Sequence, residues 1–175
     1  MTKPFTLWLM GPTSSGKTTT AKALHARLKQ DGVPCLHYDG DEVRDFYGLD
    51  FPFGAENRLR VVATCVHLAN KAVEAGVHCI VSALTANEDA RKYIAKHLVD
   101  AKIGYVHCDL NECIRRDPKG LYKKAINGEI DTLIGYNTPY APPDKAVVDI
   151  DTDSCDVDQA VEVIFSALYS TGEDT

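Results

Sequence analysis

The sequence predicts a three-layer α/β fold with a mostly parallel, five-stranded sheet, and three observations carry that expectation. Short apolar runs alternate with longer amphipathic stretches, the rhythm of repeated βαβ units. A glycine-rich turn falls between the first apolar run and the first amphipathic stretch, where a parallel sheet passes from strand to helix. The chain has 175 residues, 45 % hydrophobic and 25 % charged, which suits one ordinary domain with a core of its own.

Residues 5–10 read as the first buried strand and residues 16–30 as the helix after it, with Ala21, Leu24 and Leu28 on one face and a stop near Asp31-Gly32. Residues 33–38 make a second strand, followed by acidic Asp39-Gly40-Asp41 and a short helix from about Glu42. Residues 56–75 form a long helix closed by Gly76. A third strand covers 77–82, and Thr85-Ala86-Asn87-Glu88 has capping-box form, opening a helix that runs to about Ala101. Residues 103–108 are a fourth strand and 111–116 a brief helix. The segment 117–143 is rich in Lys, Gly, Tyr and Pro with little periodicity, and a loop-dominated stretch of that length reads as a lid. Residues 146–150 supply a fifth strand and 156–168 the closing helix, with Val157, Ala160, Val161, Ile164 and Leu168 at helical spacing. The tail 171–175 is expected to fray, and no repeat or linker divides residues 1–175.

Charge and cysteine usage narrow the function classes. With 19 Lys+Arg against 25 Asp+Glu the formal net charge is −6, which argues against a nucleic-acid-coating protein but leaves room for a local anion pocket. The early apolar stretch Leu7-Trp8-Leu9-Met10 stops at Gly11-Pro12, far short of the roughly 18 residues a membrane span requires. Six single cysteines (35, 65, 79, 108, 113 and 155) form no C-x-x-C pair. His78-Cys79 and His107-Cys108 lie on strands, where neighbours face opposite sides and cannot chelate one ion. Reduced, mostly buried thiols of a cytoplasmic protein are expected.

Gly11-Pro12-Thr13-Ser14-Ser15-Gly16-Lys17-Thr18 fits G-x-x-x-x-G-K-[ST] in the context its mechanism requires, after a strand and before a helix. The glycines let backbone N–H groups face phosphate oxygens, with Thr19 continuing the helix N-terminus. Lys17 reaches the β/γ-phosphates and Thr18 can ligate Mg²⁺, so ATP with magnesium is the expected ligand. A guanine-reading N-K-x-D segment is missing: Asn70-Lys71-Ala72-Val73 lacks the Asp, and the two D-x-x-G matches, at Asp45 and Asp117, are too short to carry a GTPase reading. Asp39 and Asp41 follow the second strand, at the sheet edge where ligands of parallel sheets bind. There a carboxylate can organise Mg²⁺ or accept a hydroxyl proton, and Arg44 can hold an anionic acceptor. A helix cap is the alternative use of such an Asp. Arg115-Arg116-Asp117-Pro118-Lys119-Gly120-Leu121-Tyr122-Lys123-Lys124 gathers five cations, either a solvated loop or a lid that brings positive charge onto transferring phosphates.

These motifs together resemble the adenylylsulfate kinase family over nearly the whole length. The P-loop, Asp39-Gly40-Asp41-x-x-Arg44, Glu56-Asn57-x-x-Arg60, the strand ending at Ser82 and the specific run Arg116 to Ala125 carry the likeness, followed by Gly128-Glu129-Ile130, Gly135, Pro139-Tyr140, Pro143 and Ile150-Asp151-Thr152. The resemblance implies transfer of the ATP γ-phosphoryl to the 3′-hydroxyl of adenylylsulfate. It implies metal organisation and hydroxyl activation by Asp39 and Asp41, with Lys17 stabilising charge. Acceptor binding would fall to Asp41, Arg44, Asn57, Arg60, Ser82, Lys119, Lys124 and the Leu133 position, and Arg116 would lie by the ATP base. Small nucleotides would be its partners, and a homodimer is the assembly usual among such enzymes.

The acceptor side departs from the family pattern. Where D-R-x-E-N-I-R-R is usual, residues 53–60 lose two of three arginines in register while Arg58 is new. Where S-x-I-S-P-Y-R is usual, Glu88 replaces the Arg and Thr85 stands at the position sometimes given a covalent serine. Leu133 replaces a lid aromatic and Ala141 a Glu. Loss of a stacking ring costs about 1–3 kcal/mol of acceptor binding. A kinase of another nucleotide conjugate, such as a cytidine diphosphate derivative, is therefore the alternative, with an idle nucleotide-binding module a third reading.

Overall fold

The computed structural model describes residues 3–48, 51–52 and 54–169, so Phe53 and the 171–175 tail lie outside the described residues. Five strands, β1 (Thr6–Met10), β2 (Cys35–Asp39), β3 (His78–Ser82), β4 (Ala101–His107) and β5 (Val148–Asp151), pair in parallel in the order β2-β3-β1-β4-β5. Strand β1 sits at the centre and is buried throughout, as a strand covered on both faces requires.

Alternation along β1 builds the two cores. Leu7 and Leu9 join Ile80, Val106 and Ile150 beneath α1 (Lys17–Gln30) and α7 (Val157–Tyr169), which supply Leu24, Leu28, Ile164 and Leu168. Trp8 and Met10 face the other way, joining Val81 beneath α3 (Ala55–Glu74) and α4 (Glu88–His97), which supply Cys65, Val66, Ala69 and Ile94. The sheet is thus sandwiched between two helical layers, as expected. Within α7, Ala160, Val161, Ile164 and Leu168 are buried, whereas Val157 is exposed.

Three local expectations are corrected. The helix after β3 starts at Glu88, not Thr85, and Asn87 is its N-cap without a side-chain bond. Thr85 has a left-handed φ of 47° and its buried hydroxyl accepts the Trp8 indole N–H at 2.9 Å, so tertiary burial takes the side chain that a capping box would have used. That helix ends at His97, and β4 begins already at Ala101, paired with Thr6. The segment 117–143 also contains a helix, α6 (Leu121–Ile126), whose Tyr122 and Ala125 pack with Leu133 and with Cys113 of α5 (Leu110–Arg116).

All six cysteines are free, with Cys65, Cys79 and Cys113 buried. Burial pushes the Cys65 and Cys79 thiols up to about 12, so they behave as apolar filling. Cys108 Sγ lies 2.8 Å from Cys113 Sγ, a proximity that single spacing did not suggest. Among the described residues no helix is long and apolar enough to cross a membrane.

Candidate active site

The turn from β1 into α1 is shaped by two glycines. Gly11 has a φ of 155°, and a Cβ there would lie 1.8 Å from the Val106 carbonyl oxygen of β4. Gly16 caps α1 in the left-handed region at φ 96°, where an L side chain is strained. Between them Pro12, Thr13 and Ser14 are half-buried, Ser15 is buried, and Thr18 and Thr19 stand half-buried and exposed at the start of α1. Lys17 folds back over the turn, and its ammonium donates to the Pro12 carbonyl at 2.5 Å and the Ser15 hydroxyl at 3.4 Å.

Burial pushes Lys17 down from 10.5 to about 8, against the opposing pull of Asp41 and Asp39. A polyphosphate beside it favours the cation again. Above pH 8 nucleotide binding is therefore expected to take up a proton, and affinity to fall with rising pH by as much as about tenfold per unit. Calorimetry in buffers of different ionisation enthalpy reads this uptake directly. Binding at pH 9 with no proton uptake would contradict the assignment.

Asp39 ends β2 and does two jobs that the sequence offered as alternatives. It is the N-cap of α2 (Gly40–Asp45), its Oδ1 accepting the Asp41 amide at 2.9 Å. Its Oδ2 accepts the Thr18 hydroxyl at 2.6 Å and the Ser82 hydroxyl at 2.8 Å. Burial raises the Asp39 carboxyl, but these three donors, with Lys119 nearby, outweigh it and hold the group below its ordinary value. The Thr18–Asp39 pair is an oxygen-only corner suited to Mg²⁺. Among the described residues no three His, Cys, Asp or Glu side chains converge on a metal.

Asp41, two residues on, is largely exposed and forms an ion pair with Lys119, so the 117–143 segment reaches back to the end of β2. Arg116 is anchored nearby: Nε donates to Glu112 at 2.7 Å, Nη1 to the Thr152 hydroxyl at 2.7 Å and Nη2 to the Thr152 carbonyl at 2.9 Å. Thr152 in turn donates to the Ser15 carbonyl at 3.0 Å, which ties Arg116 to the phosphate turn. Tyr122 of α6 donates to the Thr13 carbonyl at 3.0 Å and fixes the same turn from the other side.

The remaining predicted acceptor residues are less converged. Arg44 lies on α2 and Arg58 on α3: burial, then the Arg44 charge, pushes the Arg58 guanidinium below its ordinary value. Asn57 is half-buried in the first turn of α3. Arg60 is exposed and pairs with Glu56 at 2.7 Å, and Lys124 is exposed on α6. Leu133 is buried against Cys113, Tyr122 and Ala125, so its side chain serves the packing of its own segment. Ser82 is held inside the Asp39 cluster.

Two contributors were missed in the sequence. Arg91 of α4 donates to the carbonyls of Thr85 (3.0 Å), Ala141 (2.5 Å) and Pro142 (3.1 Å) and lies over the Tyr140 ring, pinning the end of the 117–143 segment to the loop after β3. No motif marks a guanidinium that binds backbone. His37 was the other, and its only signal was its place two residues before Asp39 on the same strand face.

A phosphate-cradling turn opposite a carboxylate-bearing strand end, on a β2-β3-β1-β4-β5 parallel sheet, defines the P-loop kinase class. Within it, a family model described as adenylylsulphate kinase matches residues 3–151, and the chain belongs to that family. The chain is 33 % identical to the adenylyl-sulfate kinase of Staphylococcus epidermidis over 168 residues, covering 95 % of this chain and 84 % of that one. It is 31 % identical to the cytidine diphosphoramidate kinase of Campylobacter jejuni over 165 residues, covering 94 % and 96 %. The Mycobacterium tuberculosis APS kinase solved in complex with AMPPNP and APS superposes with a TM-score of 0.86 at 27 % identity, covering 96 % of this chain and 99 % of that one.

Proposed function

We propose that the chain is one kinase domain that transfers the γ-phosphoryl group of ATP to the 3′-hydroxyl of adenylylsulfate, giving 3′-phosphoadenylylsulfate and ADP, with residues 117–143 as its lid. The observation that carries this reading is the ion pair of Asp41 with Lys119, which brings a hydroxyl-activating carboxylate and a lid cation to the same edge as the Thr18–Asp39 corner. Lys17 and the P-loop amides would hold the β/γ-phosphates, and Thr18 and Asp39 would hold Mg²⁺, which when bound would neutralise charge on the phosphates. Asp41 accepts the 3′-hydroxyl proton as its oxygen attacks phosphorus, and ADP leaves in line. Arg44, Asn57 and Arg58 orient the acceptor nucleotide.

Transfer is direct. Thr85 is 5 % exposed, its hydroxyl accepts from the Trp8 indole and donates to the Ala83 carbonyl at 3.3 Å, and it is thereby committed to the fold. The expected assembly is a homodimer, read by light scattering.

A second reading is a kinase of a cytidine diphosphate conjugate. It is favoured by the Campylobacter jejuni relative, whose coverage is as complete as that of the adenylyl-sulfate kinases. The burial of Leu133 within its own cluster adds to it, because no aromatic from that position is offered to an adenine. Coupled ADP-release assays with adenylylsulfate and with cytidine diphosphoramidate separate the two. Ordinary turnover of adenylylsulfate is expected; turnover of the cytidine conjugate alone would replace the first reading by the second.

A further inference from the structure

Behind the Thr18–Asp39 corner, hydrogen bonds run outward along the sheet. Asp39 of β2 and Ser82 of β3 are register partners, and His37 lies two residues before Asp39 on the same face of β2. The Ser82 hydroxyl sits between two partners, 2.8 Å from Asp39 Oδ2 and 2.9 Å from His37 Nε2. It carries one proton and can donate to only one of them. If His37 Nε2 were an acceptor it would compete with the carboxylate for that proton. If Nε2 carries hydrogen, His37 donates to Ser82, and the serine proton is left for Asp39.

We infer that His37 is a positioning residue for the magnesium corner: it donates from Nε2 to Ser82 and so aims the serine hydroxyl at Asp39. The inference rests on the nucleotide and magnesium part of the proposed function and on nothing about the acceptor. Chains of this kind polarise each other, so the His37 donor strengthens the Ser82 bond it does not itself make to Asp39. The consequence is a carboxylate whose Oδ2 is fixed by two hydroxyls, Thr18 and Ser82, and whose Oδ1 is fixed by the Asp41 amide. Such outer partners set the orientation of a ligating group without touching the metal. The imidazole is half-buried on β2, its ring centroid 6.4 Å from that of His25.

The test uses the full chain with ADP and needs no acceptor. Thermal unfolding is followed with ADP while Mg²⁺ is raised, giving the magnesium concentration for half-maximal stabilisation. His37→Phe keeps a ring of similar size and removes its nitrogens. It is expected to raise that concentration about tenfold, the lower end of what losing an outer partner of a metal ligand costs, with ADP binding in EDTA unchanged. His37→Leu carries the same measurement if the Phe variant does not fold. In a Ser82→Ala background, His37→Phe is expected to add little, because among the described residues the serine hydroxyl carries the hydrogen-bonded route from the imidazole to Asp39. Unchanged magnesium dependence in the single variant, or effects that add fully in the double variant, would overturn the inference. Failure of wild-type protein to bind ADP at all would instead count against the nucleotide reading.

Discussion

Lys17→Ala is expected to abolish phosphoryl transfer, lowering kcat/KM by about 10³-fold or more, the scale of losing a preorganised cation on a transferring phosphoryl group. The ammonium already sits inside the turn, on the Pro12 carbonyl and the Ser15 hydroxyl, so it delivers charge to the phosphates with little rearrangement. The same burial that readies it also burdens the fold. Between pH 8 and 10.5 the unfolded chain keeps the Lys17 proton while the folded chain releases it, so stability rises with pH across that window and the full cost is present below it. Lys17→Met, which keeps the stem, is therefore expected to melt higher than wild type at pH 7 while remaining inactive. A Met variant that melts lower would show that the ammonium's hydrogen bonds outweigh its desolvation.

The second large effect is expected at Asp41. Asp41→Asn should cut kcat by about 10²–10⁴-fold, the range for a lost general base, with a smaller loss of ATP affinity, because Asp41 lies outside the P-loop and acts on Lys17 through its charge alone. The substitution also breaks the ion pair with Lys119. Lys119→Met separates the two consequences: it breaks the same pair and leaves the base, so it should affect the KM of the acceptor more than kcat. Near-normal turnover in the Asn variant would remove Asp41 from the catalytic role.

The layers of the fold and the phosphate turn were legible because they rest on local chemistry. Leu7, Trp8, Leu9 and Met10 spell a strand buried on both faces, and Gly11 to Thr18 spell the turn that follows it. The placement of Asp39 and Asp41 was legible for the same reason, since one closes a strand and the other follows it by two residues. Contacts between distant segments were not. Thr85 reads locally as a helix cap, yet the Trp8 indole, 77 residues away, takes its hydroxyl. α6 escaped notice because its apolar positions, Leu121, Tyr122 and Ala125, span barely one turn and are explained by Cys113 and Leu133 rather than by periodicity. The His37–Ser82 bond exists only through the β2–β3 register.

The two ends of the phosphate turn stand under opposite pressures. Gly11 is required by the neighbouring strand, since any side chain there would strike the Val106 carbonyl whether or not a nucleotide ever binds. Burial opposes the Lys17 charge, which the carboxylates of Asp41 and Asp39 offset only in part. A descendant of this chain that gave up phosphoryl transfer would gain stability by discarding the lysine and would lose its sheet packing by discarding the glycine.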